Sequence, residues 1–160
     1  MNQVEYFGRG PAENYLDRNA GSMIGLYKST AEELYFPYVR PQENGHHTDT
    51  RWVSLSTGKK GLLIQADNTI GFNALRNSIE DFDDEEATGL SRQWSNFTPE
   101  QVANHDEPQQ RTILRRQHHI NDITPCDFVE VCVDLKQQGV AGYDSWGSRP
   151  EPAYTLPANR

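Results

Sequence analysis

Cysteine is scarce in this chain of 160 residues, which contains only Cys126 and Cys132. The two cysteines belong to a segment with an extended pattern, where six residues would separate them by roughly 20 Å. Side chains that far apart cannot form a disulfide. The sequence therefore excludes a disulfide framework and predicts two reduced, structural cysteines.

Long apolar runs are also missing. No stretch approaches the roughly 20 residues that a membrane-spanning helix needs. The first residues, Met1 to Glu5, have no basic flank followed by an apolar segment, as a signal peptide would. We expect neither a membrane span nor a signal peptide in this chain, and the sequence leaves the cellular compartment open.

Positive charge is in deficit. The chain has 15 Lys and Arg against 23 Asp and Glu, a net charge of -8 that repels phosphate backbones and anionic lipid surfaces. The one basic cluster, Arg111 with Arg115 and Arg116, has no stacking aromatic beside it and is typical of a solvated face. We therefore expect no nucleic-acid partner and no membrane partner.

Apolar residues make up only 35% of the chain, and its mean hydropathy is -0.81. A core built from so few apolar residues is thin for an independent unit. Two interpretations remain open. The chain is either a small domain with many loops, or a piece of a larger body whose neighbour covers its apolar faces.

The clearest strand pattern runs from Phe128 to Leu135, where valines alternate with other residues. Weaker candidates lie between Gly, Pro, Asn and Asp signals; they are Ser22–Tyr27, Thr50–Leu55, Gly61–Ala66, Ile70–Leu75, Thr112–Ile120 and Ala153–Leu156. Many short strands with polar connections predict an all-β sandwich. No linker or repeat divides the sequence, so residues 1–160 are treated as one unit.

Two capping boxes predict short helical turns in loops rather than long helices. They are Thr30 to Glu33 and Thr98 to Gln101, and proline or turn residues soon follow each. The segments from Tyr6 to Tyr15 and from Tyr35 to Gly45 are rich in aromatics, prolines and turn formers. We interpret both segments as fixed structural loops.

No catalytic or metal-binding signature stands out. The adjacent pairs His46–His47 and His118–His119 would point to opposite faces of a strand, which disfavours a shared metal. The acidic run that starts at Asp81 has Glu86 where a calcium loop needs glycine. The sequence predicts surface or hydrogen-bonded histidines, a solvated acidic loop and no metal site.

The best functional candidate is the loop at Trp146, which follows the strongest strand and contains glycines. Sugar rings pack on flat aromatic faces while nearby polar groups bind their hydroxyls. Asp144 and Ser145 lie beside Trp146 in the sequence, and Tyr143 precedes them. A loop tryptophan can equally fill a core, so both interpretations stay open at this point.

Three blocks of the sequence are similar to the C-terminal domain, or small chain, of LacZ-like bacterial β-galactosidases in glycoside hydrolase family 2. They stand in the family's order; they are Gly8–Arg18, Tyr38–Gly45 and Asp144–Trp146. The family's loop usually has Gly-Gly-Asp before its Asx-Ser-Trp, where this chain has Ala141-Gly142-Tyr143. Tyr143 either adds a second stacking ring or reshapes the loop.

The resemblance implies an antiparallel β-super-sandwich, similar to galactose mutarotase, that packs against a TIM barrel. Both catalytic glutamates lie in that barrel and neither is in this chain, so the resemblance implies no catalytic residue here and no turnover by the chain alone. It also implies that Trp146 reaches into the mouth of the barrel's pocket and offers a stacking face near the sugar or its aglycone. Tyr143, Asp144 and Ser145 are substrate-binding candidates from the loop itself. For the parent enzyme the resemblance implies magnesium and sodium ions and allows a homo-oligomer.

This chain would then be the C-terminal part of a larger domain, because the family domain is about twice as long and exceeds the usual domain size. Two other hypotheses remain. A free-standing carbohydrate-binding module would bind galactosides in isolation, and a purely structural or oligomer-forming domain would bury Trp146 and assemble through strand edges or apolar faces.

Overall fold

The computed structural model describes residues 2–39, 42–82, 123–142 and 147–158. The chain divides into two compact units. The first comprises Met1–Phe36, Glu43–Asn77 and Cys126–Arg160, and the second comprises Pro37–Gln42 and Ser78–Pro125. The described part of the second unit contains a 3-10 helix at Ile79–Phe82.

The first unit contains one five-stranded antiparallel sheet in the order β2-β1-β3-β4-β5. Its strands are β1 Gln3–Gly10, β2 Met23–Thr30, β3 His47–Ser56, β4 Gly61–Leu75 and β5 Glu130–Asp134. A short 3-10 helix, Pro152–Tyr154, follows β5. The all-β, antiparallel fold with short helical turns in loops is therefore confirmed.

Strand β1 alternates in burial along its whole length. Val4, Tyr6, Gly8 and Gly10 are buried, and the residues between them are half-exposed. Gly8 lies so close to Thr50 of β3 that a Cβ would come within 2.4 Å of its Oγ1. Glycine is needed there because the neighbouring strand leaves no room for a side chain.

Strands β3 and β4 form a hairpin that carries much of the core. The register shifts between His47 and Trp52, where Asp49 adopts a positive φ of 52°. Asp49 accepts a hydrogen bond from Nε of Arg9 at 2.5 Å, which links this irregularity to β1. The bulge thereby re-aims the side chains at the start of β3.

The core lies on one face of the sheet. Its buried apolar side chains come from β1, β3, β4 and the turns around them; they are Val4, Tyr6, Tyr15, Ala31, Leu34, Val53, Leu55, Phe72, Ala74 and Leu75. Tyr6 contacts the rings of Tyr27 and Phe72, with centroids 5.4 and 5.1 Å apart. These contacts tie the edge strand β2 to the centre of the sheet.

The predicted elements agree with the structure in part. The strands predicted at 22–27, 50–55 and 128–135 correspond to β2, β3 and β5, whereas the two predicted at 61–66 and 70–75 are one continuous strand, β4. The strand predicted at Ala153–Leu156 is wrong, because the Tyr154 N–H donates to the Glu151 carbonyl at 2.8 Å and closes a 3-10 turn. The predictions at 98–101 and 112–120 lie outside the described residues.

The segment from Tyr6 to Tyr15 was expected to be a loop, and that expectation is wrong for its first half, which is β1. The capping box at Thr30 is confirmed in its hydrogen bonds: Thr30 N–H donates to Glu33 Oε2 at 3.1 Å, and Glu33 N–H donates to Thr30 Oγ1 at 3.2 Å. Cys126 and Cys132 are free thiols, as predicted. Within the described residues, no helix is long and apolar enough to cross a membrane.

Candidate functional site

The four residues predicted to bind sugar, Tyr143, Asp144, Ser145 and Trp146, lie outside the residues that the structure describes. Their role therefore stays a prediction. The backbone on either side of them is described, with Gly139–Gly142 before and Gly147 after. We call Gly139–Gly142 the entry segment.

The entry segment is held by groups far away in the sequence. The Gly139 N–H donates to the Tyr154 carbonyl at 2.9 Å. Asp17 accepts two further hydrogen bonds, at Oδ1 from the Val140 N–H at 3.2 Å and at Oδ2 from the Ala141 N–H at 2.8 Å. A carboxylate that accepts two successive backbone N–H groups fixes both the position and the direction of that backbone.

The backbone turns sharply at the end of the entry segment. Ala141 has φ 58° and Gly142 has φ 86°, both in the left-handed region. Alanine adopts that region only when surrounding contacts compensate its cost of about 1 kcal/mol. The two hydrogen bonds to Asp17 directly precede this turn and supply such contacts.

Asp17 belongs to a turn that is itself anchored to the core. Tyr15 and Arg18 pair through two backbone hydrogen bonds, of 3.3 and 2.8 Å, with Asp17 between them. The Arg18 guanidinium contacts the buried carboxylate of Glu13 at 2.5 Å, and Glu13 also accepts the Gly45 N–H at 2.7 Å. The carboxylate of Asp17 is therefore presented by a rigid support.

Asn14 ties the same turn to β1 and β3. Its side chain is fully buried, and its Oδ1 accepts hydrogen bonds from the N–H and Oγ1 of Thr48 at 3.0 and 2.6 Å. Its Nδ2 donates to the carbonyls of Arg9 and Ala12, each at 3.1 Å. Every hydrogen-bonding position of this amide is used, which is what burial of an asparagine requires.

His46 and His47 are buried, so the expectation that this pair lies at the surface is wrong. His47 is hydrogen-bonded, which was the alternative expectation. Nδ1 of His47 lies 3.0 Å from the Arg9 carbonyl and 3.2 Å from the Tyr6 hydroxyl. The two rings take opposite sides, because His46 stacks on Tyr15 while His47 stacks on Phe72.

Burial governs the electrostatics around the two histidines. It lowers the pKa of His46 and of His47 to about 4, and in His46 the neighbouring His47 adds to the effect. Burial also raises the pKa of Glu43 and of Asp134, and Nδ1 of His46 lies 3.9 Å from Oδ2 of Asp134. At neutral pH both imidazoles are uncharged.

The described residues contain no group of three or more His, Cys, Asp or Glu that could hold a metal ion. An open pocket of about 330 Å³ lies beside the support of the entry segment. Its lining includes Asp17, Arg18, Asn19, Ser22 and Tyr154. It adjoins the contact between Asp17 and Gly139.

Comparison with known proteins defines the family. The family described as the beta galactosidase small chain matches residues 1–160, the whole chain. The chain therefore belongs to the β-galactosidase small-chain family. Among curated relatives, a β-galactosidase of Priestia megaterium is 33% identical over an alignment that covers all of this chain and 12% of that relative.

Two other members of this group show the same partial coverage. A β-galactosidase of Vibrio cholerae is 29% identical over 97% of this chain and 11% of its own length. A β-galactosidase of an Arthrobacter species is 40% identical over 49% of this chain and 8% of its own length. The small-chain sequence thus spans about an eighth or less of the curated relatives that it matches.

Sequence reasoning did not single out Asp17 as a functional residue. It lies within the family block Gly8–Arg18, but nothing in its local pattern predicts a contact with a backbone more than 120 residues later. The signal that could have found it is indirect: it is an acid within a family block.

Proposed function

We propose that this chain is a non-catalytic part of a β-galactosidase that hydrolyses terminal β-D-galactosides. In this proposal the chain packs against the catalytic barrel and supplies the Trp146 loop as a stacking face for the sugar or its aglycone. The chain belongs to the small-chain family and spans only 11 to 12% of the length of two relatives that it matches. Both facts support the accessory role. The chain by itself is then inactive.

The observation that carries the proposed loop function is the anchoring of the entry segment by Asp17. An aromatic platform contributes to catalysis only when its geometry is fixed, since small displacements of positioning groups are costly. A segment held at three successive N–H groups, one by Tyr154 and two by Asp17, is a suitable base for such a platform.

A second observation supports packing against a larger body. The sheet face opposite the core carries an apolar row across three strands, formed by the register neighbours Leu26, Phe7 and Trp52. Ile24 and Leu63 lie on the same face, paired with Arg9 and Ser54. Leu26 and Leu63 are 57% and 60% exposed. Contiguous apolar surface of this kind is typical of an interface, and the remaining part of a parent polypeptide is its proposed occupant.

The proposal is tested by mixing this chain with the matching barrel-containing remainder and following hydrolysis of a chromogenic β-galactoside. Trp146→Ala should lower kcat/KM of the mixture by roughly five- to thirtyfold, because stacking and burial of an aromatic ring are worth about 1 to 2 kcal/mol. Trp146→Phe keeps an aromatic face and should lose less. Equal activity of the mixtures made with wild type, Trp146→Ala and Trp146→Phe would contradict the proposed role of the loop.

Calorimetry on the isolated chain distinguishes the carbohydrate-binding-module hypothesis from the accessory role. That hypothesis predicts heat of binding on titration with galactosides, whereas the accessory role predicts none until the remainder is present. Saturable binding by the chain alone would favour the module.

A further inference from the structure

His46 and Gln137 each have a buried side-chain atom without a hydrogen-bond partner among the described residues. In His46 this atom is Nδ1, and the whole side chain is only 1% exposed. In Gln137 the atom is Oε1. Buried polar atoms of folded proteins are nearly always hydrogen-bonded, so both atoms indicate a place where a further group binds.

The topology of the sheet places carboxylates beside these two side chains. Asp134 ends β5 and pairs with Gly71 of β4, and Gly71 lies directly against the His46 imidazole. Oδ2 of Asp134 is 3.9 Å from Nδ1 of His46. Glu43, in the turn before β3, is hydrogen-bonded to the side chain of Gln137. We call Glu43, His46, Asp134 and Gln137 the acidic cluster.

The acidic cluster has two carboxylates and, in the described part of the chain, no cation to neutralise them. Neither Glu43 nor Asp134 forms an ion pair with Lys or Arg there. The nearby carboxylate of Glu13 is already paired with Arg18. Burial raises the pKa of Glu43 and of Asp134, and the charges of Asp134 and Glu13 raise that of Glu43 further. A bound cation would relieve this repulsion.

The group that complements the acidic cluster carries a positive charge and donates several hydrogen bonds. The carboxylates and Oε1 of Gln137 can only accept, and the neutral His46 accepts at Nδ1 in one of its tautomers. A donor nitrogen about 2.9 Å from both Nδ1 and Oδ2 fits between these atoms, which are 3.9 Å apart. The Asp134 side chain is 38% exposed, which opens the cluster to solvent.

We propose that the acidic cluster binds an ammonium or guanidinium group, which donates hydrogen bonds to Asp134, Glu43, Gln137 and His46. This chemistry has two sources: a small amine in solution, or a lysine or arginine side chain of the barrel-containing remainder. Only the second source rests on the proposed function. In that case the cluster adds a charged contact to the packing of this chain against the rest of the enzyme.

The first test titrates the full chain with ethylammonium chloride and follows the Asp134 carboxyl carbon and the His46 ring nitrogens by NMR. Tetramethylammonium chloride is the matched ligand, because it has the same charge and no N–H group. The two signals should shift and saturate at an ethylammonium concentration roughly tenfold lower than the tetramethylammonium concentration. This comparison uses the wild-type chain and requires no variant.

A pair of variants assigns the binding to the cluster. Asp134→Asn keeps the shape of the side chain and removes one of the two charges, so it should weaken ethylammonium binding roughly tenfold. Asp67→Asn removes the same charge at an exposed position of β4 and should leave binding unchanged. Equal weakening by both variants would show a general charge effect and would overturn the inference.

The second test distinguishes the two sources by adding the barrel-containing remainder without any amine. A lysine or arginine of the remainder should shift the same two signals on mixing and prevent ethylammonium from binding. Asp134→Asn should then weaken the association roughly fivefold, while Asp67→Asn should not. Ethylammonium that binds the mixture as it binds the chain alone would identify a small amine as the source.

The inference is overturned if neither ethylammonium nor the remainder shifts the signals of Asp134 and His46. It is also overturned if tetramethylammonium binds as well as ethylammonium, since N–H donation then has no part in binding. If this chain and the remainder do not associate, the proposed function fails, whereas the titration of the chain alone still decides the inference.

Discussion

His46 stacks on Tyr15 with the ring centroids 5.7 Å apart and the planes 17° from parallel. Gly71 of β4 lies directly against the same imidazole. The stack therefore joins the turn that carries Asp17 to the centre of the sheet. Both rings are almost fully buried, so this contact holds the turn that supports the entry segment in place.

Gly71→Ala should destabilise the chain, because an added Cβ would lie 2.4 Å from Nε2 of His46 and 2.5 Å from Cε1. Overpacking of this kind typically costs about 1 to 3 kcal/mol. Urea denaturation measures the free energy of unfolding. Gly21→Ala is the matched control, since a Cβ there meets no atom within 4 Å. Equal stability of the two variants would contradict the close packing of His46 on β4.

Below neutral pH the two buried histidines should destabilise the fold. Burial lowers their folded pKa to about 4 from the ordinary value of 6.5. Between these values the unfolded chain binds more protons, so the free energy of unfolding falls as the pH falls, by on the order of 3 kcal/mol per histidine. This contribution is fully present above pH 6.5 and is lost as the pH approaches 4.

The raised pKa values of Glu43 and Asp134 act in the opposite direction, because their protonated forms are favoured in the fold. The histidine contribution is isolated by comparing wild type with His47→Asn, which removes one titrating group. Denaturation curves between pH 4.5 and 7 should show a shallower pH dependence for the variant. Identical slopes would show that His47 does not titrate differently in the two states.

Asn14→Asp keeps the shape of the side chain but removes both donors to the carbonyls of Arg9 and Ala12. It also places a charge in a fully buried position. We expect a loss of about 3 kcal/mol or more in stability. Asn68→Asp introduces the same charge at an exposed position of β4 and should stay within about 0.5 kcal/mol of wild type.

Leu26→Lys tests the apolar row as a surface that packs against the rest of a parent enzyme. Leu26 is 57% exposed, so the substitution should leave the stability of the chain nearly unchanged. Loss of one buried leucine should weaken association with the barrel-containing remainder by about tenfold or more. Leu135→Lys, outside the row, is the control, and equal association of the two variants would remove the row from the interface.

The sequence predicted the strands whose side chains follow a simple apolar alternation, above all β5. It missed β1 because two of the four buried positions of that strand are glycines, Gly8 and Gly10, which carry no apolar signal. Tertiary packing requires glycine at both positions, because a Cβ at Gly8 would clash with Thr50 and a Cβ at Gly10 would clash with Tyr6. It split β4 at the polar stretch from Asp67 to Thr69, which the structure keeps inside one 15-residue strand.

Sequence reasoning reached only the loop of the candidate site, and the role of that loop stays a prediction. Trp146 and its neighbours were identified by an aromatic residue in a glycine-containing segment and by the family resemblance. The support beneath that loop depends on Asp17, Glu13 and Asn14, whose partners lie elsewhere in the chain. Contacts across such sequence distances follow from the topology of the sheet and have no local signature.

The most direct test of the account compares hydrolysis of a chromogenic β-galactoside by three samples: this chain alone, the barrel-containing remainder alone, and their mixture. The account predicts no turnover by the chain alone and the highest activity in the mixture. Turnover by the purified chain alone would contradict it, because the chain would then have to contain catalytic carboxylates of its own.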